Sequence, residues 1–134
     1  MTGFTNNRDK QEVENLLTKR TDIIQNVLLN KISYEEGEKE LRKVETGKIY
    51  IDDCKLFDIY KNSDYDVVID MEVKSIEQMS NVSDITTYLV TIEWTTSTYE
   101  GINYNRLAHY ISLKECGEIN KLVSFEPADN KNLL

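Results

Sequence analysis

The chain has 134 residues, 40% of them hydrophobic and 30% charged, with five Gly and one Pro. That length suits one domain with its own hydrophobic core, and the composition excludes collagen-like, low-complexity and disulfide-stapled miniature scaffolds. Sixteen basic against 24 acidic side chains give a formal charge of −8, which repels phosphate backbones at long range, so no nucleic-acid partner is expected.

No apolar run approaches the ~18 residues a membrane-spanning helix needs, so no membrane association is expected. Residues 1–8 lack the apolar stretch of a secretory signal, which points to a disordered N-terminus and a cytoplasmic protein. Cys54 and Cys116 lie far apart, with no Cys-x-x-Cys spacing. They read as reduced core thiols rather than ligands, and neither a metal site nor a cofactor is expected. Lys outnumbers Arg twelve to four and Ala occurs twice, a bias that points to an AT-rich bacterial genome.

Residues 9–30 read as a helix. Val13, Leu16, Leu17, Ile23, Ile24, Val27 and Leu28 fall at i, i+3, i+4, i+7 spacing, with Arg20 as the one interruption. Glu12, Lys19 and Gln25 take the polar side. The stripe is wide enough to cover a sheet. Ser33-Tyr34-Glu35-Glu36 is a capping box that opens a second helix. Leu41 and Val44 supply its narrow apolar face, and Thr46-Gly47 its stop. Lys39, Arg42 and Lys43 alternate with Glu36, Glu38, Glu40 and Glu45, the pattern of a solvated charged face rather than of a basic patch.

After Gly47 the apolar period changes from 3.6 to 2, which predicts strands for the rest of the chain. The first covers residues 48–60, with a bulge near Asp52-Asp53 where the alternation slips. Residues 61–64 are a turn. Residues 65–76 form a strand with Tyr65, Val67, Ile69, Met71 and Val73 on one face. Residues 77–83 form a loop. Residues 84–97 form a strand with Tyr88, Val90, Ile92 and Trp94 aligned. Residues 103–115 follow with Leu107, His109, Ile111 and Leu113 aligned, and residues 119–126 with Ile119, Val123 and Phe125. Short connections between alternating strands imply an antiparallel meander. The class is therefore α+β: two N-terminal helices packed on a curved antiparallel sheet of four to five strands. One domain spans residues 9–126, with a flexible tail at 127–134.

That element order, over residues 9–126, resembles the nuclear transport factor two-like superfamily, which includes ketosteroid isomerase-like and dehydratase-like cones. A cystatin-like arrangement is the near neighbour, with one helix crossing its sheet. The resemblance implies helices over the concave side of a bent sheet, an apolar pocket at its open end, and dimers through the sheet. Enzymatic members carry a buried Asp or an Asp–His pair. Asp70 and Asp84 do not fall at that spacing, so no catalytic residue carries over to this chain.

His109, the sole histidine, reads as a structural side chain ahead of a general base. With Tyr88, Trp94, Ile92, Leu107 and Ile111 it makes the candidate pocket lining. Asp64, Asp66, Asp70 and Glu72 read as a solvated strand face rather than a calcium loop. The expected function is a non-catalytic interaction or assembly domain of a bacterial accessory protein. It would form a homodimer through its sheet or engage another protein. The alternatives are a cone holding a small apolar ligand, or an isomerase- or dehydratase-type enzyme using His109.

Overall fold

The computed structural model describes residues 7–59 and 67–128. Three helices come first: α1 (Asn7–Leu28), α2 (Tyr34–Leu41) and α3 (Lys48–Ile59). Four strands follow: β1 (Val67–Val82), β2 (Ile85–Thr98), β3 (Gly101–Cys116) and β4 (Ile119–Pro127). They form one sheet in the order β1-β2-β3-β4, each strand antiparallel to its neighbours. The architecture is α+β, with the helices ahead of a curved meander. The expected N-terminal disorder, the turn at 61–64 and the tail beyond Ala128 lie outside the described residues. Among those residues, no helix is long and apolar enough to cross a membrane.

The apolar stripe of α1 packs as its spacing predicts. Val13 and Leu17 join Ile49, Val73, Tyr88, Val90, Ile92, Ile111, Leu113 and Leu122 in a core between helix and sheet. Further along the helix, Val27 joins Leu41 and Phe57 in a second cluster between the three helices. α1 ends in a Schellman motif. Asn30 takes φ 61°, while the Lys31 N–H reaches Asn26 O and the Asn30 N–H reaches Val27 O. Ser33 caps α2 as expected, its hydroxyl accepting from Glu36 N at 3.1 Å.

The polar side of α1 is not idle surface. The Val73 N–H donates to Glu14 Oε2 at 2.8 Å, and the Val68 N–H to Gln25 Oε1 at 3.2 Å. At the opposite edge of the sheet, Asn120 donates to Glu12. The helix thus ties both edge strands through side chains that the sequence pattern assigns to solvent.

The expected strand over residues 48–60 is wrong: its described part is α3. Ile49, Asp53 and Phe57 are its buried residues, spaced four apart on one helical face. β-branched and aromatic content suggested a strand, and Asp53 at the centre of the inward stripe broke the helical pattern. Gly47 does not stop α2, whose C-cap is Arg42. Instead it takes φ 68° and opens α3, its carbonyl accepting from Ile51 N. The period therefore changes beyond α3, not at Gly47.

β1 also departs from expectation. It runs through the expected loop at 77–83 to a two-residue turn in which Ser83 takes φ 59°. Its 16 residues face 13 partners on β2. The extra residues are Ile69, Lys74 and Met79, one bulge every five positions. Each bulge resets the alternation. By register Val68, Met71, Val73 and Ile76 share the concave face, while Ile69 is 54% exposed. A fourth bulge, at Val123, does the same in β4. Leu122 and Phe125 point inward there, and Ile119 is left exposed.

Gly37 lies in α2 where that helix meets α1 and α3. A Cβ there would collide with Val27 Cγ2 and touch the Phe57 ring. Val27 is 1% exposed and stiff about χ1. Gly37→Ala gains up to ~1 kcal/mol of helix propensity, but overpacking costs about 1–3 kcal/mol. The expected result is a net loss of about 1–2 kcal/mol in urea unfolding; a more stable variant would mean that the contact between the two helices is looser than described.

Candidate functional site: a buried ionic cluster

Arg20 interrupts the apolar stripe of α1 between Leu17 of the first core cluster and Ile23, Ile24 and Val27 of the second. A cation at that position is stable only if the fold brings it an anion. α3 does so. Arg20 Nε lies 2.7 Å from Asp53 Oδ2, and Nη2 lies 2.8 Å from Oδ1, a two-pronged ion pair with Asp53 2% exposed. The guanidinium carbon Cζ lies 4.7 Å from the centroid of the Phe125 ring. Phe125 in turn stacks on His109, with ring centroids 4.3 Å apart and an interplanar angle of 27°. A carboxylate, a guanidinium, a phenyl ring and an imidazole are therefore in contact one after another from α3 to β3.

Glu45 completes the cluster. It follows α2 in a segment that adds to the outer edge of β4. Thr46 N donates to Leu122 O, and Leu122 N donates to Val44 O, both at 2.8 Å. The Glu45 side chain is fully buried, 3.8 Å from Arg20 Nε. Neither of its oxygens has a partner within hydrogen-bond geometry. Burial, followed by the neighbouring Asp53, pushes its pKa up to about 9, against the opposing pull of Arg20. The balance of these influences favours its protonated form. His109 is 9% exposed and its Nδ1 is buried with no partner. Burial, then the charge of Arg20, lowers its pKa from the ordinary value.

The six residues expected to line a pocket share the concave face of β2 and β3. By register Tyr88 opposes Ile111, Val90 opposes His109, Ile92 opposes Leu107, and Trp94 opposes Asn105. Tyr88, Ile92 and Ile111 belong to the buried core. Trp94 packs against it, Leu107 is half-buried, and His109 joins the ionic cluster instead. Burial, then Asp9 and Glu12, raises the Tyr88 phenol to about 12. Depressions bounded by described residues lie elsewhere. One lies beside Thr18, Asp22 and Met71, and another beside Leu16, Lys19 and Asn120.

Glu45 and Asp53 were missed as members of a site. Arg20 on an apolar stripe was the available signal for a buried anion. Asp53 becomes visible only once residues 48–59 are read at helical period. Glu45 carried no signal, since its neighbours belong to an exposed charged run, and its assignment to a solvated face is overturned by its burial. Among the described residues of the acidic strand segment, Asp70 and Glu72 are exposed, and Glu72 lies 3.2 Å from Lys74. No group of three candidate metal ligands occurs among the described residues.

A second feature lies further along β3, toward the β2–β3 turn. β4 pairs with β3 only from Cys116 back to His109, and the Ala128 N–H adds one bond to Ala108 O. Among the described residues, the β3 edge from Gly101 to Leu107 has no strand beside it. Residues 101–106 are exposed on both faces. Tyr99, Ile102 and Tyr104 are 97%, 58% and 72% exposed there.

No family model matches the chain, and no curated protein does. Among solved structures, the chain is similar to the crystal structure of the intermembrane space region of the chloroplast protein ARC6. The TM-score is 0.54 and 10% of residues are identical, over 90% of this chain and 98% of that one. At that identity the likeness is one of fold, an α+β arrangement of helices and sheet.

Two stability measurements test the cluster. Arg20→Met leaves buried carboxyl groups without their cation and is expected to cost about 3–5 kcal/mol, whereas Arg20→Met combined with Asp53→Leu recovers much of that loss. Glu45 should set the alkaline slope. Its folded pKa lies above its unfolded value of 4.5, so the folded chain holds a proton that the unfolded chain releases between those two values. Stability from this group therefore declines as pH rises through that window. His109, lowered from 6.5, contributes a loss in the opposite direction, as pH falls below 6.5. The wild type should melt lower at pH 8.5 than at pH 7. Glu45→Gln should flatten that decline and gain about 1–3 kcal/mol at pH 8. A parallel decline in the variant would place the slope on another group.

Proposed function

We propose that the chain is a non-catalytic interaction or assembly domain, self-associating through its sheet. The observation that carries this reading is the uncovered end of the β2–β3 hairpin. It places Tyr99, Ile102 and Tyr104 in solvent beside a strand edge that has no partner strand among the described residues. Exposed aromatic and aliphatic surface gathered at one end of a sheet fits a protein contact.

Three helices ahead of a curved four-stranded meander also support a nuclear transport factor two-like cone over a cystatin-like fold with its single crossing helix. Within that comparison, the groups that isomerase-type chemistry would need are engaged in packing. Asp53 is held by both prongs of Arg20, and Phe125 stacks directly on the imidazole of His109. A ligand-binding or enzymatic cone is the second reading, favoured by the buried His109 Nδ1, which has no hydrogen-bond partner among the described residues.

Light scattering and thermal melts separate the two. For an assembly domain, the mass at ~0.5 mM exceeds that of a single chain. Millimolar deoxycholate or laurate leaves the melting temperature unchanged, and His109→Ala mainly lowers it. A saturable rise of several degrees with either probe, abolished by His109→Ala, would turn the reading to the cone.

A further inference from the structure

The open stretch of β3 has a definite hydrogen-bonding pattern. The Ala108 carbonyl accepts from Ala128 on the β4 side. The β2–β3 register runs from Lys114 to Gly101 without a shift, and backbone groups alternate sides along a strand. The N–H and C=O of Ile102, Tyr104 and Arg106 therefore all point to the edge that β4 leaves open, while those of Asn103, Asn105 and Leu107 point to β2. The other sheet edges are guarded. β1 carries three bulges and two contacts from α1 side chains, and the segment at 44–46 bonds to the β4 edge at Leu122.

We infer that residues 101–107 of β3 pair antiparallel with the same residues of a second copy, about a two-fold axis at Tyr104. This rests on the reading of the chain as an assembly domain and names its contact. The edge is self-complementary. Tyr104 opposes Tyr104 of the second copy and exchanges both backbone bonds with it. Ile102 opposes Arg106 of the second copy in each direction and exchanges two more. All six outward backbone groups of each copy are then satisfied, in an isologous contact that closes at two chains.

The side chains agree with this register. On the convex face the two Tyr104 rings lie side by side and Ile102 meets the stem of Arg106. On the concave face Asn103 opposes Asn105, and Gly101 opposes Leu107. Charge selects the same stretch. Two copies of a chain of net charge −8 repel one another, yet residues 101–107 hold no acid. Their one cation, Arg106, is 2.7 Å from its own Glu93. The partner's strand would also end at Gly101, where its hairpin turns back, so Ala128 sets the limit of the pairing. A strand pair this short lies at the small end of stable interfaces, so the dimer is weak and appears at high concentration.

Sedimentation of the full chain from about 5 to about 500 µM tests this. The expected mass rises from 15.6 kDa toward twice that value. Tyr104→Pro removes a donor that faces the open edge and not β2, so the fold has no ladder bond to lose. Tyr104→Lys sets two ammonium groups across the axis, and serves if the proline variant fails to fold. Both are expected to stay monomeric at 500 µM, and the lysine variant to melt within ~3 °C of the wild type. Amide exchange at Ile102, Tyr104 and Arg106 should slow at least tenfold at the high concentration only. A dimer indifferent to both variants, or one that leaves those three amides fast, overturns the edge pairing while the assembly reading stands. The same three amides slow at 5 µM would mean that the chain covers the edge itself, with residues 129–134 as the candidate, and the pairing falls. A wild type monomeric throughout removes both readings.

Discussion

One guanidinium joins the layers of this fold. Arg20 projects from the middle of α1, at the seam between the core under the sheet and the core among the helices. It fixes α3 through Asp53, contacts the sheet through Phe125, and lies 3.8 Å from the Glu45 carboxyl on the segment that bonds to β4. A leucine at that position would join two apolar clusters and let the helices slide. A charged fork accepts one arrangement of its partners. Burying these groups is costly, since their hydration is lost, and such pairs often add little net stability. What the cluster adds is registration of three helices on one sheet. The upward shift of Glu45 and the downward shift of His109 follow from the same arrangement, because a second buried carboxylate or a second cation around Arg20 would have no counter-charge.

The sheet solves the edge problem differently on each side. β1 is long and its edge would be a template for aggregation if it lay flat. Bulges at Ile69, Lys74 and Met79 twist it, and Glu14 and Gln25 take two of its amides. The even spacing of the bulges also bends the strand continuously, which lets a sheet of four strands curve around α1. β4 is short and shares its outer edge with the segment after α2. That shortness is what leaves the beginning of β3 uncovered. Residues 101–106 beside that gap are exposed on both faces, so occupation there leaves the core untouched.

How far the sequence could be read depended on whether local pattern and tertiary role agreed. α1, α2, β2 and most of β3 have patterns of one period, and their inward faces were legible: Val13, Leu17, Tyr88, Ile92 and Ile111 are all buried. α3 was not, because Ile49, Tyr50, Ile51 and Phe57 carry strand propensity while Asp53 occupies the inward position that would mark a helix. Tertiary pairing overrode propensity there. The bulges hid the true face of β1, since three single-residue insertions defeat any two-residue period. The candidate site was legible only in part. His109 and its apolar neighbours were found on the correct face, but their buried carboxyl neighbours come from α3 and from the turn before it, and only the closed fold brings them together.

The two features divide the chain between them. At the helical end, charge is buried, paired with Asp53 at hydrogen-bond distance, and stacked against aromatic rings. At the hairpin end, tyrosine and isoleucine are exposed, and backbone groups on β3 have no strand beside them among the described residues. A folded chain this small tends to reverse both choices, with charge outside and aromatic surface inside. The buried charge is accounted for by the need to hold α3 and β4 to α1 at one point. No comparable internal need accounts for Tyr99, Ile102 and Tyr104, since residues 101–106 are exposed on both faces. Their place in the molecule makes sense as surface held ready by a rigid scaffold. The ionic cluster, which reaches β3 at His109 just beyond the open stretch, supplies that rigidity by fixing the helices and sheet together.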